Sequence, residues 1–305
     1  MRLTPAELHA RATQLQALLS PCRLCPRACR VDRRTGQRGA CHLGPLLRVF
    51  CTNLHFGEEP PITGSQGSGT VFFTGCHLHC VFCQNFAFSH LGNGVDMSPE
   101  TLAARMLELQ RRGAHNINWV TPTAQVALAV EALAIARERG LSIPLVYNCS
   151  GYESVEVLRL LDGVVDVYLP DAKYASSQPA ARLSGAPDYP QVNQAAIREM
   201  WRQVGPLQLD AQGIAQRGLL VRHLVLPHGL AETHLVLRML WHECGPNLAV
   251  SLMHQYFPAH RAKAYPEIAR RISWDEYEAA LHALDHYGFS IAYIQEWEDD
   301  EDEAC

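Results

Sequence analysis

Short apolar runs alternate along this chain with longer segments whose apolar residues recur at helical spacing. Thr70–Phe73 is one such run and predicts a strand; Ser98 then opens a helix to about Arg112, with Pro99 in its first turn. The rhythm continues through strand Ile117–Val120, helix Gln125–Arg139, strand Leu145–Tyr147, helix Ser154–Leu161 and strand Val164–Leu169. Beyond these come helix Gln191–Val204, strand Leu219–Leu226, helix Ala231–Cys244, strand Leu248–Met253, helix Trp274–Tyr287 and strand Ile291–Ile294. Strands apolar on both faces predict a parallel sheet under helices. About six or seven βα units make this an α/β fold, a partial or complete (β/α) barrel with its active site at the carboxyl ends of the strands.

Upstream of the barrel the pattern changes. Leu8, Leu15, Leu18 and Leu19 recur as on one face of an amphipathic helix, and Glu7 interrupts any signal-peptide block. Gly57–Gly69, with Pro60, Pro61 and few apolar residues, reads as a linker. The expected organisation is an N-terminal helix and cysteine-rich module over 1–60, a barrel over 61–298 and an acidic tail over 299–305. The tail reads as a solvated, frayed end.

Composition narrows the function. At 305 residues and 48% hydrophobic content the chain can bury a large core. A net charge of −5 argues against a nucleic-acid surface, although Arg23, Arg27, Arg30, Arg33, Arg34, Arg38 and Arg48 face only one nearby acid, Asp32. No run reaches the roughly 18 apolar residues of a membrane span, so a cytoplasmic protein is expected. Eleven cysteines at short spacings then favour metal ligation over disulfides.

The sharpest chemical signal is Gly75-Cys76-His77-Leu78-His79-Cys80-Val81-Phe82-Cys83-Gln84-Asn85. Three thiolates offered to a cubane of four irons leave one iron open to a substrate. Two plainer readings compete: a buried helical stripe of cysteines, and a zinc site completed by His77 or His79. Leu78, Val81 and Phe82 would fall off such a stripe, and Gly75 suits a loop after a strand. A second constellation, Cys22, Cys25, Cys29 and Cys41, can close around one centre, either structural zinc or an auxiliary [4Fe-4S] cluster. Cys51, Cys149 and Cys244 read as core packing, and Cys305 as an exposed thiol.

The spacing of Cys76, Cys80 and Cys83, with Phe82 before the third, resembles the radical S-adenosylmethionine enzymes. Tyr147–Glu153, Tyr168–Tyr174, Arg222–Pro227 and Ser251–Tyr256 are similar to strand-end segments of the branch containing the activating enzyme of pyruvate formate-lyase. The resemblance runs from about Thr70 to Gln295. It implies a [4Fe-4S] cluster on Cys76, Cys80 and Cys83 that binds S-adenosylmethionine, whose reductive cleavage yields a 5′-deoxyadenosyl radical for hydrogen abstraction. Candidate cofactor contacts are Phe82, Asn85, Asn148, Ser150, Asp171, Lys173 and His254. Lys173 stands out because Lys173 and Lys263 are the only lysines among 26 basic residues. Where the family commonly has a Gly-Gly-Glu turn for the cofactor's ammonium, this chain has Thr121-Pro122-Thr123, which supplies oxygens but no charge. The implied partners are a reducing electron donor, flavodoxin or ferredoxin, and a glycyl radical enzyme or other protein substrate. The same chemistry on another peptide, nucleotide or metabolite is the alternative. A noncatalytic iron-sulfur electron carrier or zinc-bound adaptor is the reading from a different class.

Overall fold

The computed structural model describes residues 2–297; the acidic tail expected at 299–305, and Cys305 in it, lie outside the described residues. The first helix, α1 (Pro5–Ala17), starts at a capping box in which Thr4 and Glu7 satisfy each other's backbone N–H groups, and it buries Leu8, Ala12 and Leu15. Strand β1 (Leu47–His55), helix α2 (Pro60–Thr63), strand β2 (Ser68–Phe73), helix α3 (Phe86–Ser89) and strand β3 (Val95–Met97) follow. Then the βα alternation takes over: α4 (Pro99–Arg111), β4 (Ile117–Val120), α5 (Val126–Glu138), β5 (Leu145–Cys149), α6 (Val155–Leu160) and β6 (Val167–Pro170). The last third contains α7 (Ser177–Ser184), α8 (Tyr189–Val204), β7 (Gln208–Leu209), β8 (Ala215–Leu224), α9 (Thr233–Cys244), β9 (Ala249–Met253), α10 (Trp274–Tyr287) and β10 (Ile291–Ile294).

These strands form one sheet in the order β10-β9-β8-β6-β5-β4-β2-β1-β3, with β7 paired to β8. From β2 to β10 the path is parallel, whereas β1 joins β2 antiparallel and β3 joins β1 antiparallel. β10 and β3 are not paired to each other, so the sheet stays open and the fold is a partial (β/α) barrel. Alternation along the strands separates two apolar layers. Tyr147, Tyr168 and Val221 pack with the helices, while Val146, Val167, Leu169, Leu220 and Ala249 meet Ile62 on the opposite face.

Several boundaries differ from the sequence expectation. Val164 and Val165 are buried in the turn before β6 rather than lying in the strand, because apolarity marks burial and not the hydrogen-bonded ladder. The β1–β3 pair and α7 escaped the pattern: β1 carries Arg48, Cys51, Thr52 and Asn53, a mixture without clean alternation. The segment 57–69 is no loose tether. It contains α2, buries Pro61, Ile62 and Thr63, and enters β2 at Ser68. Among the described residues, no helix is long and apolar enough to cross a membrane.

Candidate active site

The loop bearing Cys76, Cys80 and Cys83 leaves the carboxyl end of β2. Gly75 adopts φ +81°, and a side chain there would meet the Cys41 carbonyl oxygen and Leu43 Cγ at 2.9 Å, so only glycine allows the turn. The loop is then pinned from outside. His79 and Val81 donate backbone N–H groups to the Ser184 and Leu183 carbonyls, and Arg261 donates to the Val81 carbonyl. Each sulfur has a polar neighbour: the Leu78 N–H lies 3.4 Å from Cys76 Sγ, Ser184 Oγ 3.0 Å from Cys80 Sγ, and Ser89 Oγ 3.2 Å from Cys83 Sγ.

Burial pushes all three thiols above their ordinary pKa, and neighbouring sulfurs raise Cys76 and, more weakly, Cys80 further. Protons therefore stay on them until a metal displaces them. Among the described residues no three His, Cys, Asp or Glu side chains converge on a point, as one ion would need. Three spread sulfurs, each with a polar group beside it, suit a cluster in which each thiolate takes its own iron.

Strand ends β5 and β6 complete the site. Lys173 Nζ donates to Asp171 Oδ2 at 2.6 Å, with the two side chains 17% and 25% exposed. Burial opposes the Lys173 charge, yet Asp171 and the thiols of Cys80 and Cys83 hold its pKa above the usual lysine value. The ammonium therefore sits beside the cysteine trio. The Tyr189 hydroxyl stands between the Ser150 and Asp171 carbonyls at 2.8 and 3.0 Å, and Asn193 Nδ2 bonds the Gly151 and Asp171 carbonyls at 3.0 and 2.9 Å. Helix α8 thus clamps both loops, though sequence patterning assigned Tyr189 and Asn193 no such role.

The remaining candidates divide. Phe82 is buried against Tyr256, rings 5.8 Å apart, and Gln84 Nε2 reaches the Gln255 carbonyl at 3.2 Å. His254 itself turns to the C-terminal end, its Nε2 donating to the Glu296 carbonyl and its ring packing on Tyr277 and Trp297. Asn85 is exposed, and its backbone N–H faces Cys83 Sγ. Asn148 is buried at the end of β5, and Ser150 Oγ lies 3.4 Å from the buried His77 ring. Thr121 is half-buried. Thr123 is fully buried, its hydroxyl donating to Glu153 Oε1 at 2.7 Å. Burial raises the Glu153 carboxyl to about 8, and among the described residues no cation offsets it. Its companions Tyr147 and Cys149 pack with the helices, so this carboxyl lies behind the sheet.

The interior contains a feature that sequence reading missed. Arg222 on β8 binds Glu58 and Glu59 from the segment between β1 and β2, with Nε 2.7 Å from Glu59 Oε1, and Asn118 Nδ2 reaches Glu58 Oε1 at 2.9 Å. Burial would raise the Glu59 carboxyl, but Arg222 pulls it below its ordinary value. A cavity of about 120 Å³ opens beside this cluster, lined also by Ser251, Met253 and Tyr293.

A family model described as the Radical SAM superfamily matches residues 70–195. The uncharacterized protein MJ0674 of Methanocaldococcus jannaschii is 30% identical over 283 residues, covering 89% of this chain and 76% of that protein. Among solved structures, HydG, a maturase of the [FeFe]-hydrogenase, superposes with a TM-score of 0.50 at 14% identity, covering 72% of this chain. The chain spans about half of that maturase's length, 49%.

Proposed function

Because the chain belongs to the radical SAM superfamily, and is thereby a radical SAM enzyme, we propose that it activates a glycyl radical enzyme by abstracting hydrogen from a backbone glycine. The bound [4Fe-4S] cluster and S-adenosylmethionine together supply a 5′-deoxyadenosyl radical. The protein's part is to hold and shield. Cys76, Cys80 and Cys83 are the ligands in this reading, with Ser184, Ser89 and the Leu78 N–H tuning their sulfurs. Lys173 and Asp171 orient the cofactor's charged groups beside the thiols, and Phe82 with Tyr256 walls the loop off from water.

The observation that carries the reading is the Lys173 ammonium, held by Asp171 at 2.6 Å and close enough to favour the charged form of all three thiols. A polypeptide substrate is supported by the open sheet, whose unpaired ends at β10 and β3 leave the barrel unclosed. The reaction calls for a reducing cytoplasm and a low-potential donor of the flavodoxin or ferredoxin kind. In this scheme the N-terminal quartet is a second metal centre.

The test is anaerobic incubation of the iron-loaded enzyme with dithionite, S-adenosylmethionine and a glycyl-radical partner. Formation of 5′-deoxyadenosine together with a glycyl radical signal in the partner is the expected result. 5′-Deoxyadenosine formed without that signal would move the assignment to another peptide, nucleotide or metabolite. None above a Cys76→Ala control would point to a noncatalytic carrier.

A further inference from the structure

We infer that Cys22, Cys25, Cys29 and Cys41 ligate a second iron-sulfur cluster, a [4Fe-4S] centre built against the catalytic cysteine loop. The four residues come from two turns that the fold brings together. Cys22 N–H donates to the Val31 carbonyl and Arg30 N–H to the Cys22 carbonyl, closing a loop in which Ala28 and Arg30 take the left-handed φ values 39° and 58°. Gly39 lets the second turn approach, since a Cβ there would stand 2.7 Å from both Cβ and Sγ of Cys29. The Ala40 N–H then points at Cys29 Sγ from 3.3 Å. Cys22, Cys25 and Cys41 are 7–8% exposed; Cys25 senses the charge of the other three cysteines, and Cys41 that of Cys22 and Cys29.

The surrounding charge indicates that these sulfurs are anionic in the working protein. Arg33 is buried at 2% exposure, yet its guanidinium bonds only the Gly44 and Ala124 carbonyls. Arg27 is half-buried; it bonds the His77 and Gly185 carbonyls, lies over the Tyr152 ring, and leaves its Nη2 atom buried without a partner. Buried guanidinium groups are ordinarily matched by carboxylates. Here no carboxylate meets either one among the described residues, and the Arg33 charge acts on Cys41. Metal-bound thiolates supply the missing negative charge.

Geometry selects the cluster over zinc. A single zinc with four thiolates at about 2.3 Å draws the sulfurs to roughly 3.8 Å from one another. The quartet, like the catalytic trio, does not converge in that manner. It also repeats the trio's local device, a backbone N–H two residues on that faces the sulfur: Arg27 for Cys25 and Leu43 for Cys41, as Leu78 does for Cys76. The two sites share a wall. The Cys41 carbonyl lies against Gly75, and Arg27 Nε holds the His77 carbonyl at 2.9 Å.

The test is a Cys76→Ala/Cys80→Ala/Cys83→Ala variant, purified without oxygen and refilled with iron and sulfide. It cannot do radical chemistry, so whatever it binds reports the quartet independently of the proposed function. About four irons and four sulfides per chain, half the wild-type content, with a reduced-cluster EPR signal, is the expected outcome. One zinc in place of iron, or no metal at all in a folded variant, overturns the inference. Should the triple variant fail to fold, Cys25→Ala/Cys29→Ala in the otherwise intact chain leaves two thiolates, too few for the second cluster, and halves the iron content; unchanged iron overturns the inference equally.

Discussion

Replacing Glu153 by glutamine is expected to flatten the dependence of stability on pH. The carboxyl is fully buried, touches Thr123 and Tyr147, and is raised by burial from 4.5 to about 8. Between those two values the folded state holds a proton that the unfolded chain has released. Stability therefore falls as pH rises. The contribution is complete below about 4.5, declines by about 1.4 kcal/mol for each pH unit, and is fully lost above about 8. From pH 5 to pH 8 that amounts to about 4 kcal/mol, or roughly 6–12 °C in melting temperature for a chain of this size. Glutamine matches the protonated acid in shape but carries no titrating proton. Melting of the anaerobic holoprotein followed by circular dichroism, wild type against Glu153→Gln, isolates the effect, since other titrating groups are common to both. Parallel curves within about 2 °C across that range would refute the assignment of Glu153 as a neutral buried acid.

Three further outcomes follow from the same geometry. Gly151→Ala places a Cβ 2.0 Å from the Asp171 carbonyl oxygen and 2.3 Å from Asn193 Nδ2 at φ +70°, so it should cost about 3 kcal/mol through strain and lost hydrogen bonds; a melting temperature equal to wild type would contradict this. Lys173→Met leaves Asp171 unpaired beside the thiols and should weaken S-adenosylmethionine binding at least about tenfold by calorimetry while iron content is kept; undiminished affinity removes Lys173 from the cofactor's reach. Ser184→Ala takes a hydroxyl from Cys80 Sγ, so the cluster's potential should fall by roughly 40 mV, about 1 kcal/mol for one electron, in an EPR-monitored titration; an unmoved potential separates Ser184 from the cluster.

The sequence alone determined the parts whose causes are local. β4, α10 and β10 have the predicted bounds, and α4 begins one residue after its Ser98 cap, because N-caps and continuous apolar runs are read within a few residues. The spacing of the cysteine trio is equally local, and the Tyr168–Tyr174 segment stood out through its resemblance to a family. Tertiary structure decided what depends on distant partners. Glu58 and Glu59 sit in a stretch that reads as linker, and they acquire meaning only when Arg222, more than 160 positions away, enters the same interior. Thr123 was legible as a hydroxyl near a strand end, but its pairing with a proton-bearing Glu153 rests on burial that no local pattern encodes. α7, whose Ser184 meets Cys80, spans only 8 residues and includes Pro179, too short for helical spacing to stand out, and β1 was masked by its mixed polarity. Short-range sterics and hydrogen bonding write themselves into neighbouring residues. The dielectric surroundings of a charge, and the partner that neutralises it, exist only once the chain has folded.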